Sequence, residues 1–164
     1  DYAVCFGVEP EIWQKAEDNQ YVPETSLTDT EIRMPGGHLT IAQLIALLNT
    51  IPMEITFVDV DNINRFFNEG PKDFKRPGMA IDREVFSCHP PKIEATVRRI
   101  IGEFRAGALD EVPIWMDKNG KCMLVRYMAV RDKEGKYLGT LELVQDMGFA
   151  KEYFQPEKRQ EEIW

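Results

Sequence analysis

The sequence predicts an α+β domain: an antiparallel sheet of about five strands, helices on one face, and an N-terminal amphipathic helix. Apolar residues recur at helical spacing over residues 39–51 and again from Pro90 to Gly107. Three alternating stretches between residues 111 and 146 are joined by tight turns, the pattern of an antiparallel meander. The chain has 164 residues, 43% of them hydrophobic, enough to bury one core.

Residues 1–38 show no sustained periodicity; they are acidic, carry Pro10, Pro23 and Pro35, and close with Pro35-Gly36-Gly37. They read as a tail or linker with a short strand at residues 2–6. Because the first residue is Asp1 and not Met, the chain reads as a piece of a longer one. From Leu39 onward Ile41, Leu44, Ile45, Leu48 and Ile51 share one helical face, with Leu47 beside them. Thr40 and Gln43 have capping-box spacing, Leu39 and Leu44 can staple the first turn, and Pro52 stops the helix. Such a helix needs cover, from its own sheet or from a second copy, and Ile41, Leu44, Ile45 and Leu48 would form the dimer contact.

Residues 54–60 form a β-branched strand, Asp61-Asn62 a turn, and residues 63–68 a second strand. Residues 69–87, punctuated by Gly70-Pro71 and Pro77-Gly78, support only short helical turns. Pro90 and Pro91 suit a first helical turn, Ile93, Val97, Ile100, Ile101 and Phe104 give the stripe, and Gly107 the C-terminal cap. Strands follow at 111–116, 121–131 and 136–146, turning at Asn119-Gly120 and at 132–135. The middle one sets Cys122, Leu124, Arg126, Met128 and Val130 on one face and Met123, Val125, Tyr127 and Ala129 on the other. Both faces need cover. After Met147 a charged helical extension is expected, its Glu157 to Glu162 alternation a solvated face. The domain therefore runs from 39 to 147, between a tail (1–38) and an extension (148–164).

With 20 Lys and Arg against 28 Asp and Glu, the net charge of −8 has the wrong sign for nucleic acid. No apolar run or signal peptide points to a membrane, so a cytoplasmic chain is expected. Cys5, Cys88 and Cys122 lack CxxC spacing and read as reduced thiols. With only His38 and His89 a histidine-rich metal cage is excluded within one copy, and His89 is the single metal candidate. There is no Gly-rich phosphate loop, triad order or kinase signature, so no catalytic residues are assigned and no enzyme is expected.

Four stretches then narrow the family: LNTIPMEITFVD at 48–59, CHPPK at 88–92, VRYMAVRD at 125–132 and YLGTLELVQD at 137–146. With the order of elements they resemble a PAS domain, and in particular the C-terminal PAS domain of a bacterial and archaeal family of unknown function. Met53 stands where that branch more often has valine, and the Asp61-Asn62 turn is a residue short. The resemblance implies a sensory, signalling module of a larger protein, sensing a small molecule or redox state and forming homodimers. It implies a hemerythrin-like domain upstream in the same full-length chain. PAS domains take haem, flavin, small carboxylates, metals or nothing, and nothing in the sequence requires haem or flavin. A structural dimerisation domain without ligand is the alternative, and a haem- or redox-linked domain using His89 or Cys88 is another.

The resemblance also assigns residues. Phe57, Phe67, Phe86, Ile100, Phe104, Trp115, Tyr127 and Met128 would lie between sheet and helices, lining a ligand or simply packing. In haem-binding relatives the proximal histidine lies within the long helix, near Thr96 here, leaving His89 as ligand or as a cap of backbone groups. Cys88 is either a redox thiol or a small buried residue. Arg126, on an apolar face, needs Glu142 of the adjacent strand or a ligand anion. Arg131, Asp132, Gln145 and Asp146, at strand ends, are the output-coupling candidates, with turn hydrogen bonding as the plain reading.

Overall fold

The structure is a computed structural model that describes residues 29–70, 72–74 and 78–155. A hairpin of β1 (Glu31–Met34) and β2 (Gly37–Thr40) leads into α1 (Ile41–Thr50), then β3 (Glu54–Asp59) and β4 (Asn64–Phe67). Single-turn 3-10 helices at Gly78–Ala80 and Val85–Cys88 precede the long helix α2 (Pro91–Ala106). The meander β5 (Glu111–Lys118), β6 (Lys121–Arg131) and β7 (Tyr137–Asp146) follows, and α3 (Gly148–Tyr153) leaves it. The five-stranded sheet has the order β4-β3-β7-β6-β5, antiparallel throughout. The expected strand at residues 2–6 and the Glu157 to Glu162 face lie outside the described residues.

Local chemistry accounts for most boundaries. The Thr40 hydroxyl accepts the Gln43 N–H at 3.1 Å while the Gln43 side chain accepts the Thr40 N–H at 2.9 Å, the reciprocal box expected. The helix stops at Thr50 because Pro52 bars its preceding residue from helical geometry. Between β3 and β4 the Asp59 carboxylate accepts the N–H groups of Asp61 and Ile63, which lets Asn62 take φ +66°. Asn119 and Gly120 both have positive φ, the requirement of a two-residue hairpin turn that follows strand twist. The β1–β2 hairpin was not expected: its strands span four residues each, too short for alternation to register, around Pro35-Gly36.

Helix α2 covers one face of the sheet. Its Ile100 and Phe104 pack on Tyr137, and Val97 and Ile101 pack with Val58, Val85 and Phe86. Farther along the same face Met123, Val125 and Val144 meet Phe74. Phe104 is fully buried, and Ile100 and Met123 are within 1% of it. Because paired residues share a face, the opposite side of the sheet carries Phe57, Phe66, Leu124, Met128, Leu141 and Leu143, all half-buried. No residue of α1 is fully buried; Ile41, Leu44 and Leu48 are half-buried, while Ile45 and Leu47 are exposed.

Strand β7 enters the sheet between β3 and β6, and it does so at a glycine. A Cβ on Gly139 would clash with the Val58 carbonyl oxygen and lie 2.8 Å from the Phe57 ring. Neither a main-chain carbonyl in a ladder nor a packed ring can move aside freely. Gly139→Ala should therefore destabilise the fold by about 1–3 kcal/mol, read as a lower urea midpoint with unchanged slope; an unaltered midpoint would refute the tight passage.

Candidate functional site

The aromatic set expected between sheet and helices is divided by the fold. Phe67, Phe86, Ile100, Phe104 and Tyr127 lie on the helix side, where Phe86, Ile100 and Phe104 are buried. Phe57 and Met128 pair across the ladders with Leu141, and Trp115 pairs with Leu124, which places all three on the outer face. Trp115 is 64% exposed there. The expectation of one lining is thus corrected: alternation fixes which residues share a strand face, but the register decides which side that face takes.

His89 sits just after the second 3-10 helix, half-buried, and its Nδ1 lies 2.9 Å from the Val85 carbonyl oxygen. That geometry makes Nδ1 the donor and closes the 3-10 turn, so the imidazole serves backbone groups of the segment before α2. Thr96 faces solvent on α2, and the layer beneath the helix is filled by Val97, Ile100 and Ile101. The Cys88 side chain lies outside the described part of the structure. Among the described residues no three His, Cys, Asp or Glu side chains are grouped to hold a metal ion.

Arg126 pairs with Glu111 of β5, Nε to Oε1 2.6 Å, and not with Glu142. Glu142 stands opposite Tyr127 and so lies on the other face, whereas Glu111 is diagonal to Arg126 on the outer face. The Arg126 hydrogen bond holds the Glu111 carboxyl below its ordinary value, against a smaller desolvation effect, and the same bond raises the Arg126 pKa. Both groups are part-exposed, so the pair orients side chains more than it stabilises the fold.

The four strand-end candidates occupy two ends of the sheet. Arg131 donates to the Phe104 carbonyl at 2.7 Å, to the Leu109 carbonyl at 3.4 Å and to Asp110 at 2.9 Å, which secures the C-terminus of α2. Asp132 accepts the N–H groups of Glu134 and Lys136 within the β6–β7 turn. Gln145, half-buried, and Asp146 sit at the far end, where the chain leaves β7, and Asp146 Oδ1 accepts the Gly148 N–H at 2.8 Å.

Near that exit is a polar cleft of ≈ 210 Å³ lined by residues 49–54, Glu69, Gly70, Lys72, Asp73, Val144 and Asp146. The segments that line it are held by groups that sequence reasoning missed. Asn68, only 3% exposed, donates to the Leu48 and Met53 carbonyls and accepts from the Ile55 N–H and Lys72. The buried Glu54 carboxylate accepts the N–H groups of Asp73 and Phe74. Lys121 donates to Asp73 at 2.7 Å, and its pKa is raised by that bond first and by the charges of Asp73, Asp146 and Glu54. A polar residue closing an apolar strand, as Asn68 does, and a carboxylate opening one, as Glu54 does, were the available signals.

The sequence matches the family model described as "PAS domain" over residues 44–148. Among solved structures, a C-terminal domain from Streptococcus mutans is 37% identical, with a TM-score of 0.73 over 76% of this chain and 98% of that one. A sensory box sensor histidine kinase from Vibrio cholerae is 12% identical, with a TM-score of 0.45 over 63% of this chain and 88% of that one. VqmA of Vibrio cholerae, in a complex with ligand and DNA, is 21% identical, with a TM-score of 0.49 over 67% of this chain and 52% of that one. No curated protein matches the sequence.

The Glu111 and Arg126 pair gives a pH test with a defined sign. A carboxyl held below its ordinary 4.5 adds stability above that pH and loses it as the pH falls through the lower, folded value. Side-chain NMR titration should place the Glu111 midpoint below 4.5, and Arg126→Met should return it to the ordinary range. A midpoint that does not respond to the substitution would dissolve the pair.

Proposed function

Because the chain belongs to the PAS domain family, we propose that it is a sensory, signalling module of a larger protein that responds to a small molecule or to redox state and carries out no catalysis itself. The observation that supports this best is the course of β7. This strand lies in the centre of the sheet, pairs with both β3 and β6, and passes directly into α3. Any rearrangement of either half of the sheet therefore acts on the strand through which the chain leaves. Gln145 and Asp146 are the output residues in this reading; Arg131 and Asp132, at the other end, hold α2 and the β6–β7 turn.

The module works as a homodimer, with α1 in the contact. Ile45, on one face with Ile41, Leu44 and Leu48, presents an exposed apolar side chain on a helix with no fully buried residue, and covering that face against a second copy removes it from water. The closed packing of Ile100, Phe104, Met123 and Val144 favours a second reading, a structural dimerisation domain that needs no ligand. Among the described residues no helix is long and apolar enough to cross a membrane.

Native mass spectrometry of the purified chain separates these readings. The sensory reading expects twice the chain mass plus a ligand mass that disappears on denaturation; a bare multiple of the chain mass moves the assignment to the structural reading. Replacing Leu44 and Leu48 together by Glu should yield a folded monomer, and a persistent dimer would remove α1 from the interface.

The sequence stretches at 48–59, 88–92, 125–132 and 137–146 also support placing a hemerythrin-like domain upstream in the full-length chain. The coding sequence preceding Asp1 tests this directly: an iron-ligating helical bundle is expected there, and an unrelated domain would reject the assignment.

A further inference from the structure

The tip of the β5–β6 hairpin touches two segments that are far apart in sequence. Toward the segment 72–74, Lys121 Nζ donates to Asp73 Oδ1 at 2.7 Å and Lys118 Nζ lies 3.4 Å from the centre of the Phe74 ring. Toward the exit, the Cys122 carbonyl accepts the Met147 N–H at 2.7 Å and Lys151 Nζ lies 3.4 Å from Cys122 Sγ. Lys121 Nζ is also 4.0 Å from Asp146 Oδ2, and the other oxygen of that carboxylate holds the first N–H of α3. The segment itself is anchored inward: the Glu54 carboxylate takes its N–H groups, and Phe74 packs against the core of Met123, Val125 and Val144.

We propose that Lys121 is a positioning residue that couples the segment 72–74 to the exit helix α3, so that displacement of the segment alters how the chain leaves the sheet. The physical basis is the sharing of one ammonium group between two carboxylates. A lysine head is a compact charge on a flexible stem, with three donors that can turn toward either partner. While Asp73 holds it at short range, Asp146 keeps its hydrogen bond to the Gly148 N–H. When Asp73 withdraws, the ammonium turns to Asp146 and competes with that N–H for the same carboxylate. The first turn of α3 then loses its anchor.

This inference rests on the reading of β7 and α3 as the exit, but the link can be measured whether or not α3 carries a signal. Amide hydrogen exchange of the intact chain at low salt is the readout, with residues 100–104 as the gauge that the core remains folded. Asp73→Asn, which reaches α3 through Lys121, should speed exchange over residues 148–153 by about two- to fivefold, the range of an exposed ion pair. Lys121→Met, which leaves no ammonium to compete for Asp146, should not speed exchange there, and adding Lys121→Met to Asp73→Asn should restore most of the protection. Unchanged exchange at 148–153 in Asp73→Asn with an intact core would overturn the coupling, as would faster exchange that persists in the double variant. Unaltered signalling in a full-length protein whose exchange responds as expected would instead count against the exit reading.

Discussion

The sheet depends on the insertion of β7 between β6, its neighbour in the chain, and β3, made much earlier. Its ladder to β6 is local, the product of a hairpin turn, whereas its ladder to β3 joins the N-terminal half of the domain to the C-terminal half. Everything placed around the sheet follows from that closure. Val58 comes under α2 because β3 is drawn against β7, and Tyr137, at the start of β7, meets Ile100 and Phe104 for the same reason. The approach is close enough that only a residue without a Cβ fits at Gly139, beside the Val58 carbonyl.

Burial of apolar area explains the α2 side, but the connections around the sheet are held by polar groups. Asn68 uses both ends of its carboxamide to join the end of α1, the connection into β3, and Lys72. Glu54 fixes the segment 72–74 by its main chain. In surroundings of low polarity such bonds specify one arrangement strongly, since the groups left behind by any alternative would lie buried without partners. Arg131 does the equivalent at the opposite end, where it donates to the Phe104 carbonyl in the last turn of α2 and to the Leu109 carbonyl just beyond it.

Much of the fold was legible because its boundaries are chemical. The Thr40 and Gln43 box, the Asp61-Asn62 and Asn119-Gly120 turns, the Pro91 start and the Gly107 end of α2 each constrain two or three residues locally, and each stands where the sequence placed it. The candidate site residues were less legible because their neighbours are set by register. Glu142 and Arg126 lie on adjacent strands, yet a one-residue offset puts them on opposite faces, and Glu111 takes the pairing instead. Trp115 went to the outer face for the same reason. The strand-end quartet separated because the turn between antiparallel strands and their free termini are at opposite ends of the ladder. Glu54 and Lys121 escaped notice because their partners lie in the segment 72–74, which has no periodicity, and Asn68 because its partners are mostly main-chain groups, which a side-chain pattern does not reveal.

The long ladder has a consequence for biosynthesis. Glu54 faces Val144 across the sheet, so β3 is made long before the strand that will pair with it. As translation proceeds, β3 and β4 emerge as a hairpin whose β3 edge, carrying Ile55, Phe57 and Val58, stays open, and neither α2 nor the β5–β6 hairpin can close that edge. Pairing between distant segments is slow because the entropy of closing the loop is lost before any contact forms. The nascent domain thus passes through an interval in which a sticky strand edge waits for the end of its own message, and chaperones or strand exchange with a neighbouring nascent copy have their opening then.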